Sequence, residues 1–523
     1  MTAPETTASG FLRARKILSL APGVRGDAIW WRDGRIEAVG SAATLARSVP
    51  AKTPIYELPD ALVTPGFVDG HTHFAMWALS RRRVQLAGAA ALDEAVRRVA
   101  GASPVQGWIV GQGWDANLWD RVPDRGALDA VQAGPVYLDS LDVHAAWVNS
   151  AALAAGGIGR ETPDPFGGRI VRDAAGEPTG LLLERAVELM SPHLPEPPAD
   201  VLDAALLEAQ AEAHRLGITG IHDVEGAGAL AAFERLAASA ALRLRVLFHP
   251  PVTSLGRLTA AGVRSGTGSA WLRIGGVKLF LDGSLGSRTA WMLDPYQGSR
   301  DRGMPITTEE EAAQAMRTAA EAGIASVVHA IGDAAVRRAL DLISRLPRVG
   351  LPHRIEHFQC VHPDDLDRAA AAGIVASMQP AHLLTDIPLV ERHWGGRGRG
   401  AYAFESLRRR GTPMVFGSDA PVASLDPREG LYAALERRSG ADGPRGGWRV
   451  EEKLGFLEAV RPYTMGAAHA GGVGHRSGAL APGCDADLVA WGFDPAVERG
   501  EGDLVRAGQA LLTVAGGEVV MRR

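Results

Sequence analysis

One junction recurs along the second half of the chain: an amphipathic stretch, a glycine and a short apolar run. The glycines and the runs after them are Gly217 with 218–222, Gly323 with 324–328, Gly373 with 374–378, and Gly411 with 413–416. Glycine can adopt the left-handed conformation that ends a helix, so each junction predicts a helix followed by a strand. Continuous apolar strands are typical of parallel sheets covered on both faces. The repeat therefore predicts an α/β fold.

Four more apolar runs bring the predicted strands to eight. They lie at 62–70, 242–248, 272–281 and 353–358. Amphipathic patterns predict helices at 202–216 and 307–322, the second opened by a capping box from Thr307 to Glu310. Eight alternating strands and helices are most simply arranged as a (β/α)8 TIM-like barrel.

The two ends and one long insertion do not follow this repeat. Short strands separated by Gly-Gly and Asp-Gly turns occupy both termini, which predicts a small β-sandwich built from both ends of the chain. Aromatic and Gly/Pro-rich segments after the first strand predict a subdomain over the barrel mouth. The expected parts are the N-terminal sandwich segment 1–61, the first barrel strand with its metal motif 62–79, the inserted lid 80–199, the remaining barrel 200–474, and the C-terminal sandwich segment 475–523.

The composition excludes several classes of protein. The net charge is −5, and hydrophobic and charged residues make up 46% and 22% of the 523 residues, so neither a nucleic acid nor a membrane is an expected partner. No window approaches the roughly 20 apolar residues of a membrane span. Only two cysteines are present, which predicts a cytoplasmic protein without disulfides. A small-molecule substrate is expected, with a homodimer as the commonest oligomeric state.

Polar side chains gather at the ends of the predicted strands. In a barrel these ends converge on one mouth. The residues are His71, His73, Lys278, His329, His357 and Asp419. Each alone has a simpler interpretation, such as a buried hydrogen-bonded histidine or a helix N-cap, but six at matching positions indicate one shared site. Lys278 supports the shared site, because only four of the 55 basic residues are lysines. A deprotonated lysine amine is nucleophilic, whereas an arginine guanidinium is not.

Several motifs resemble those of the amidohydrolase superfamily, specifically its YtcJ-like, amidohydrolase-3 group. They are Pro65-Gly-Phe-Val-Asp-Gly-His-Thr-His73, the segment 276–290 that begins Gly-Val-Lys-Leu-Phe, Val328-His-Ala-Ile-Gly-Asp333, Arg354-Ile-Glu-His357, Gly417-Ser-Asp-Ala-Pro421 and the tail 478–488. The Gly-x-Gly-Trp and Asp-x-His-x-x-Trp-Val-Asn motifs of the insertion are also similar to this group. The resemblance covers nearly the whole chain.

This resemblance implies a metal-dependent hydrolase acting on carbon–nitrogen bonds such as amides or N-substituted formamides. It implies two divalent ions, which are expected to be zinc. One ion would be held by His71, His73 and Asp419, and the other by His329 and His357. Lys278 would bridge both ions as a carbamate formed with CO2. Metal ions lower the pKa of water to about 7, and Asp419 would carry a proton from water to the leaving nitrogen.

The substrate residues are sought in the insertion and around the mouth. The candidates are Trp114, His144, Trp147, Asn149, Arg288 and Gln379. Aromatic side chains with few polar groups suit a partly apolar pocket. The alternative is that Trp114 and Trp147 pack in the core of the insertion, and that Arg288 forms a structural ion pair.

Two other functions remain open. A deaminase-like amidohydrolase would hold one metal, so about one ion per chain instead of two would favour it. A catalytically inactive barrel acting as a binding or scaffold protein is expected to have lost ligands, whereas all six positions carry a suitable residue here.

Overall fold

A computed structural model of the chain describes residues 8–438, 446–493 and 501–523. The first elements are β1 (Gly10–Ile17), β2 (Ala28–Arg32), β3 (Arg35–Gly40), α1 (Ala42–Leu45), β4 (Ile55–Pro65), β5 (Phe67–Thr72) and α2 (Phe74–Ser80). The inserted region holds β6 (Val84–Gln85), α3 (Leu92–Ala100), β7 (Ile109–Trp114), α4 (Arg125–Asp129), β8 (Val136–Ser140), β9 (Ala145–Val148), α5 (Ser150–Ala155), β10 (Gly168–Arg172) and β11 (Pro178–Glu184).

Strands and helices then alternate. They are α6 (Ala199–Arg215), β12 (Ile218–Asp223), α7 (Ala227–Ala238), β13 (Arg245–Phe248), α8 (Leu255–Ala260), β14 (Leu272–Ile274), β15 (Val277–Phe280), α9 (Glu309–Glu321), β16 (Ser326–Ala330), α10 (Asp333–Ile343), β17 (Arg354–His357), α11 (Pro363–Ala372), β18 (Val375–Met378), α12 (Leu383–His393), α13 (Phe404–Arg409), β19 (Met414–Phe416) and α14 (Pro427–Glu436). The last elements are α15 (Phe456–Arg461), α16 (Ala467–Ala470), β20 (Leu488–Trp491), α17 (Glu501–Ala507), β21 (Ala510–Ala515) and β22 (Glu518–Arg522).

The α/β class is confirmed, and the glycine junctions behave as predicted. All four junction glycines have φ between +62° and +78°, the left-handed conformation that glycine adopts without steric cost. The capping box of α9 lies one residue later than expected, between Thr308 and Glu311. Thr307 and Thr308 are neighbours and three glutamates follow, so the sequence pattern fits both registers.

The predicted first strand at 62–70 is divided in two. Strand β4 runs through Pro65 and belongs to the sheet of the termini, whereas β5 begins at Phe67 and pairs with β12. Gly66 separates them, and a Cβ at Gly66 would lie 2.3 Å from Thr219 Oγ1. The apolar run continues through the end of β4 and into β5, because residues 61–65 and nearly all of β5 are buried. The sequence alone therefore does not reveal the break.

Nine parallel strand segments support the candidate site, in two sheets. One sheet has the order β14-β13-β12-β5 and the other β15-β16-β17-β18-β19. The predicted strand at 272–281 passes from the first sheet to the second, interrupted at Gly275 and Gly276. At the other edge, Asp419 N donates to His71 O at 2.7 Å. The pairing found among the described residues does not run unbroken around a closed barrel.

The two termini form one sheet of seven strands, in the order β22-β21-β20-β4-β1-β2-β3. Trp31 Nε1 on β2 donates to Gly517 O, in the turn between β21 and β22, at 2.8 Å. The sheet therefore curls until its distant parts meet. Strands from both ends of the chain share this one curled sheet, and the β-sandwich itself stays a prediction.

The insertion has its own sheet, with the order β10-β11-β9-β8-β7-β6. Strands β6, β7 and β8 are parallel, and the others pair antiparallel. Its apolar core includes Trp114, Trp119, Leu138 and Trp147. The insertion is thus a separately packed layer beside the parallel strands.

Candidate metal centre

Strand β5 and the turn after it direct two histidines toward one carboxylate. The Nε2 atoms of His71 and His73 lie 3.4 and 3.2 Å from Asp419 Oδ1. His71 is on β5, and Asp419 follows β19, the neighbouring strand across the edge. A Cβ at Gly417 would lie 2.3 Å from His71 N, so glycine is needed for the two segments to approach so closely.

Three predicted ligands form a tight, buried cluster. His71, His357 and Asp419 each offer one donor atom, and these atoms lie within 4.8 Å of one another. The rings of His329 and His357 are 4.4 Å apart between centroids. His71 was expected to bind the first ion and His357 the second, so the tight cluster combines histidines from both expected ligand sets.

Hydrogen bonds orient these imidazoles. His73 Nδ1 donates to Val224 O at 2.6 Å, and His329 Nε2 donates to Gly283 O at 3.2 Å. In each ring the opposite nitrogen is thereby the one available to a metal ion. His71 Nδ1 is hydrogen-bonded to Glu356 Oε2, which likewise leaves Nε2 free to face Asp419.

The donor atoms of the cluster are buried without a partner. Among the described residues, His71 Nε2, His329 Nδ1, His357 Nδ1 and Asp419 Oδ1 have no hydrogen bond. A buried polar atom left unpaired costs about 1–3 kcal/mol. Imidazole nitrogens and carboxylate oxygens are the ligands that zinc and similar divalent ions take. The donor set therefore fits a divalent metal.

The ionisation states also suit metal binding, which requires neutral imidazole and ionised carboxylate. Burial lowers the pKa of His71 to about 4 and holds the pKa values of His329 and His357 well below the usual value. Burial opposes the ionisation of Asp419, but the neighbouring histidines outweigh it and keep its pKa well below the usual value.

Backbone strain coincides with the cluster. His357 and Asp419 have φ of +69° and +59°, a conformation that residues other than glycine adopt rarely and at a cost of about 1–3 kcal/mol. His357 is the last residue of β17, and Asp419 lies three residues after the end of β19. Such strain persists where the surrounding structure holds a residue in place for function. We interpret the strain at His357 and Asp419 in this way.

Lys278 lies on β15 with 2% of its surface exposed. Its Nζ is 4.7 Å from the centroid of the Phe280 ring, which is 4.9 Å from that of His329. Burial lowers the pKa of Lys278 to about 8. A substantial part of this amine is therefore neutral near physiological pH.

The insertion contributes one predicted residue to the site. The His144 ring lies 5.2 Å from that of His329, and His144 Nδ1 is 2.7 Å from Glu184 Oε2. Thr289 Oγ1 donates to the other oxygen of Glu184. Burial opposes protonation of His144, but the Glu184 charge outweighs it and raises the pKa to about 9.

Three other insertion candidates have structural partners. Trp114 and Trp147 are buried in its core, where their indole N–H groups donate to Leu138 O and Asp124 O. Asn149 is the N-cap of α5. Each of these side chains bonds within the insertion, and none of these bonds reaches the histidine cluster. Their proposed contact with substrate has no support in this geometry.

The two remaining candidates differ from each other. Arg288 is exposed, in the loop after β15, with φ of +57°. Gln379 directly follows β18 and is 2% exposed, and its Nε2 has no hydrogen bond within the described part of the chain. Gln379 thus has a buried donor available, whereas Arg288 faces solvent.

Three functional candidates were missed by the sequence analysis. His382 Nε2 lies 3.8 Å from Asp419 Oδ2, and Glu184 and Glu356 hold His144 and His71. His382 lies four residues beyond its strand, in a short helical turn, so the search at strand ends passed over it. Glu356 lies beside His357, and strand alternation alone would have placed it on the other face.

Buried histidines and an aspartate near the ends of parallel strands, on an α/β fold, form a candidate metal-binding site. The chain belongs to the amidohydrolase family, whose family model Amidohydro_3 matches residues 55–521. This confirms the resemblance found in the sequence.

Relatives and a solved structure agree with this assignment. The protein YtcJ of Bacillus subtilis (strain 168) is 32% identical, covering 91% of this chain and 92% of its own. Protein LONG AFTER FAR-RED 3 of Arabidopsis thaliana is also 32% identical, over 88% of this chain and 83% of its own. The N-substituted formamide deformylase of Arthrobacter pascens is 28% identical, over 92% and 93%. A metal-dependent hydrolase from Pyrococcus horikoshii OT3 superposes with a TM-score of 0.77 at 26% identity, covering 94% and 99%.

Among the described residues, no helix is both long and apolar enough to cross a bilayer.

Proposed function

We propose that this protein is a metal-dependent hydrolase that cleaves the carbon–nitrogen bond of an amide or an N-substituted formamide. The observation that carries the proposal is the group of buried, unpaired donor atoms on His71, His329, His357 and Asp419. The similarity to a formamide deformylase supports the choice of bond. The two parallel sheets are then halves of one (β/α)8 barrel, with the site at its mouth.

The proposed cofactors are two divalent ions, zinc in the first instance, bridged by a carbamate on Lys278. To form it, the neutral amine attacks CO2, a nitrogen–carbon bond forms as one C=O π bond opens onto oxygen, and the nitrogen loses a proton to water. The carbamate is anionic and would supply oxygen ligands to the metal ions, whereas the free amine has no oxygen to supply. The burial of Lys278 and its lowered pKa favour the neutral amine that this step needs.

When bound, divalent ions make hydroxide available near neutral pH and polarise the substrate carbonyl. The chain's own residues handle the proton. Asp419, ionised and held beside His71 and His73, accepts a proton on Oδ1 or Oδ2 and delivers it to the leaving nitrogen. Its low pKa makes it a ready donor once protonated.

Residues around the cluster are placed to orient the substrate. His144 is fixed by Glu184, and its ring stands beside that of His329. Gln379 and His382 each have a buried nitrogen without a hydrogen bond in the described structure. We assign these three residues to the binding of the substrate carbonyl or leaving group.

A substrate panel tests the proposal. N-acyl and N-formyl amines are offered to protein loaded with zinc or manganese, and amine release is measured. Hydrolysis of at least one member, lost on chelation and restored by metal, is the expected result. Metal-loaded, folded protein that hydrolyses no member of a broad panel would contradict the choice of bond.

A single-metal, deaminase-like activity is the second candidate. The tight cluster of His71, His357 and Asp419 surrounds one point, as one ion requires. Metal analysis separates the two candidates, because about two ions per chain support the bridge and about one supports the alternative. Adenine and cytosine derivatives added to the panel extend the test to ammonia release.

Two further properties are proposed from composition and from base rates of assembly. The low cysteine number favours a cytoplasmic location, and homodimers are the commonest assembly of soluble enzymes. Light scattering of the purified protein tests the second.

A further inference from the structure

A buried arginine joins four strands beneath the histidine cluster. Arg354 on β17 is 1% exposed. One terminal nitrogen donates to Gly70 O at 2.6 Å and Ser377 Oγ at 2.8 Å, and the other lies 2.9 Å from His222 Nδ1. Gly70 directly precedes His71 on β5. Arg354 therefore fixes the backbone from which a predicted metal ligand projects.

The same arginine also fixes the carboxylate of Glu356. Arg354 Nε donates to Glu356 Oε1 at 2.5 Å, and the terminal nitrogen that donates to Gly70 O and Ser377 Oγ also lies 3.0 Å from Oε2. Oε2 also bonds His71 Nδ1. Oε1 is thus held by the guanidinium Nε, and Oε2 lies between the guanidinium and the imidazole of His71.

A structural ion pair is the simpler interpretation of these contacts. Buried ion pairs are weak evidence of stabilisation, because apolar side chains of similar size often serve as well. The pair Arg337–Asp365 is an example away from the site, with 2.8 Å between Nε and Oδ2 and a buried carboxylate. The Arg354–Glu356 pair differs in one respect: its carboxylate orients a histidine whose other nitrogen is buried and unpaired.

We propose that Arg354 and Glu356 are positioning residues that hold His71 with Nδ1 protonated and Nε2 directed at the metal. This inference rests on the proposed metal-dependent function. A carboxylate that accepts Nδ1–H fixes the tautomer and raises the basicity of the opposite nitrogen. Because Arg354 also bonds Gly70 O, one side chain sets both the position of the backbone and the orientation of the ring.

The variant Glu356→Gln tests the charge and the acceptor together. The carboxylate has two acceptor oxygens in use, toward Arg354 and His71, whereas a glutamine offers one oxygen for both. We expect zinc affinity, measured with Zn²⁺ alone against a competing chelator at fixed pH, to fall about 10- to 100-fold. Circular dichroism and thermal melting of the metal-free protein establish that it is folded.

Asp365→Asn is the matched control, because it also neutralises a buried carboxylate paired with arginine. We expect it to keep wild-type zinc affinity. Wild-type affinity in Glu356→Gln, or an equal loss in Asp365→Asn, would overturn the proposal.

A measurement on the wild-type protein covers the case in which Glu356→Gln does not fold. Nitrogen-15 NMR of the imidazoles in the metal-free protein is expected to show His71 protonated at Nδ1. A resonance assigned to His71 with Nε2 protonated would refute the assignment. Neither this spectrum nor zinc affinity depends on turnover, so a failure of the substrate panel leaves the positioning role separately testable.

Discussion

The ends of the parallel strands and the inserted subdomain were both searched for functional residues in the sequence, with different success. At the strand ends, five of the six predicted ligands are linked by pairwise contacts into one cluster: His71, His73, His329, His357 and Asp419. In the insertion, only His144 of the chosen residues reaches them. A regular strand fixes where its last side chain points, whereas an inserted layer uses the same residue types for its own packing.

The substitution Asp419→Asn addresses the strand ends and carries the largest expected effect. The amide keeps the shape of the side chain but cannot accept and deliver the proton. We expect turnover of the best substrate to fall by about 10²- to 10⁴-fold, measured as initial rates with saturating metal.

The matched control for that substitution is Asp365→Asn, which removes a buried carboxylate on α11. Near wild-type turnover in Asp419→Asn would remove Asp419 from the mechanism. An equal loss in the control would show that the effect is general destabilisation.

Replacing Lys278 by arginine tests the one predicted ligand whose contact with the cluster is indirect. Arginine keeps the positive charge but forms no carbamate. We expect bound metal, measured by elemental analysis, to fall below the wild-type number and turnover to drop about 100-fold, at the upper end of losses from disturbed metal ligation.

Lys453→Arg serves as the control for Lys278, since Lys453 pairs with Glu436 at 3.5 Å outside the site. Full metal content and turnover in Lys278→Arg would exclude a bridging carbamate.

Local patterns account for what the sequence predicted. Glycine junctions and apolar runs located the strands, and strand ends located the ligands. The division at Gly66 was not visible, because the end of β4 and nearly all of β5 are buried and read as one run. His382 was not visible, because its position depends on the turn that follows Gln379. Glu356 was not visible either, since its role arises from a contact with His71, 285 residues away.

The His144–Glu184 pair offers a test that needs no substrate. The pKa of His144 is raised from 6.5 to about 9 by Glu184, against the effect of burial. The stabilisation is therefore complete below about pH 6.5 and is lost as the pH rises through about 9. It amounts to roughly 3 kcal/mol. We expect Glu184→Gln to abolish this contribution.

Urea denaturation of the metal-free wild-type and Glu184→Gln proteins, at about pH 6 and about pH 10, measures the difference. The free energy of unfolding of the wild type is expected to exceed that of the variant at the lower pH, with a smaller gap at the higher pH. The same gap at both values would mean that His144 does not carry a raised pKa.

Asn149→Ala carries the smallest expected effect on activity and tests the insertion side of the comparison. Asn149 Oδ1 accepts from Val136 N and Ala152 N, both at 3.0 Å, and its Nδ2 donates to Gly134 O at 2.9 Å. Loss of an N-cap costs about 0.5–2 kcal/mol, and an unpaired buried N–H adds about 1–3 kcal/mol. We expect a lower free energy of unfolding and an unchanged KM, because no polar atom of this side chain remains for a substrate.

His144→Ala, in the same layer, should raise KM while Asn149→Ala does not. A raised KM in Asn149→Ala, with metal content intact, would mean that the packing of the insertion also positions the substrate. The residues of the insertion could then not be separated into structural and functional ones.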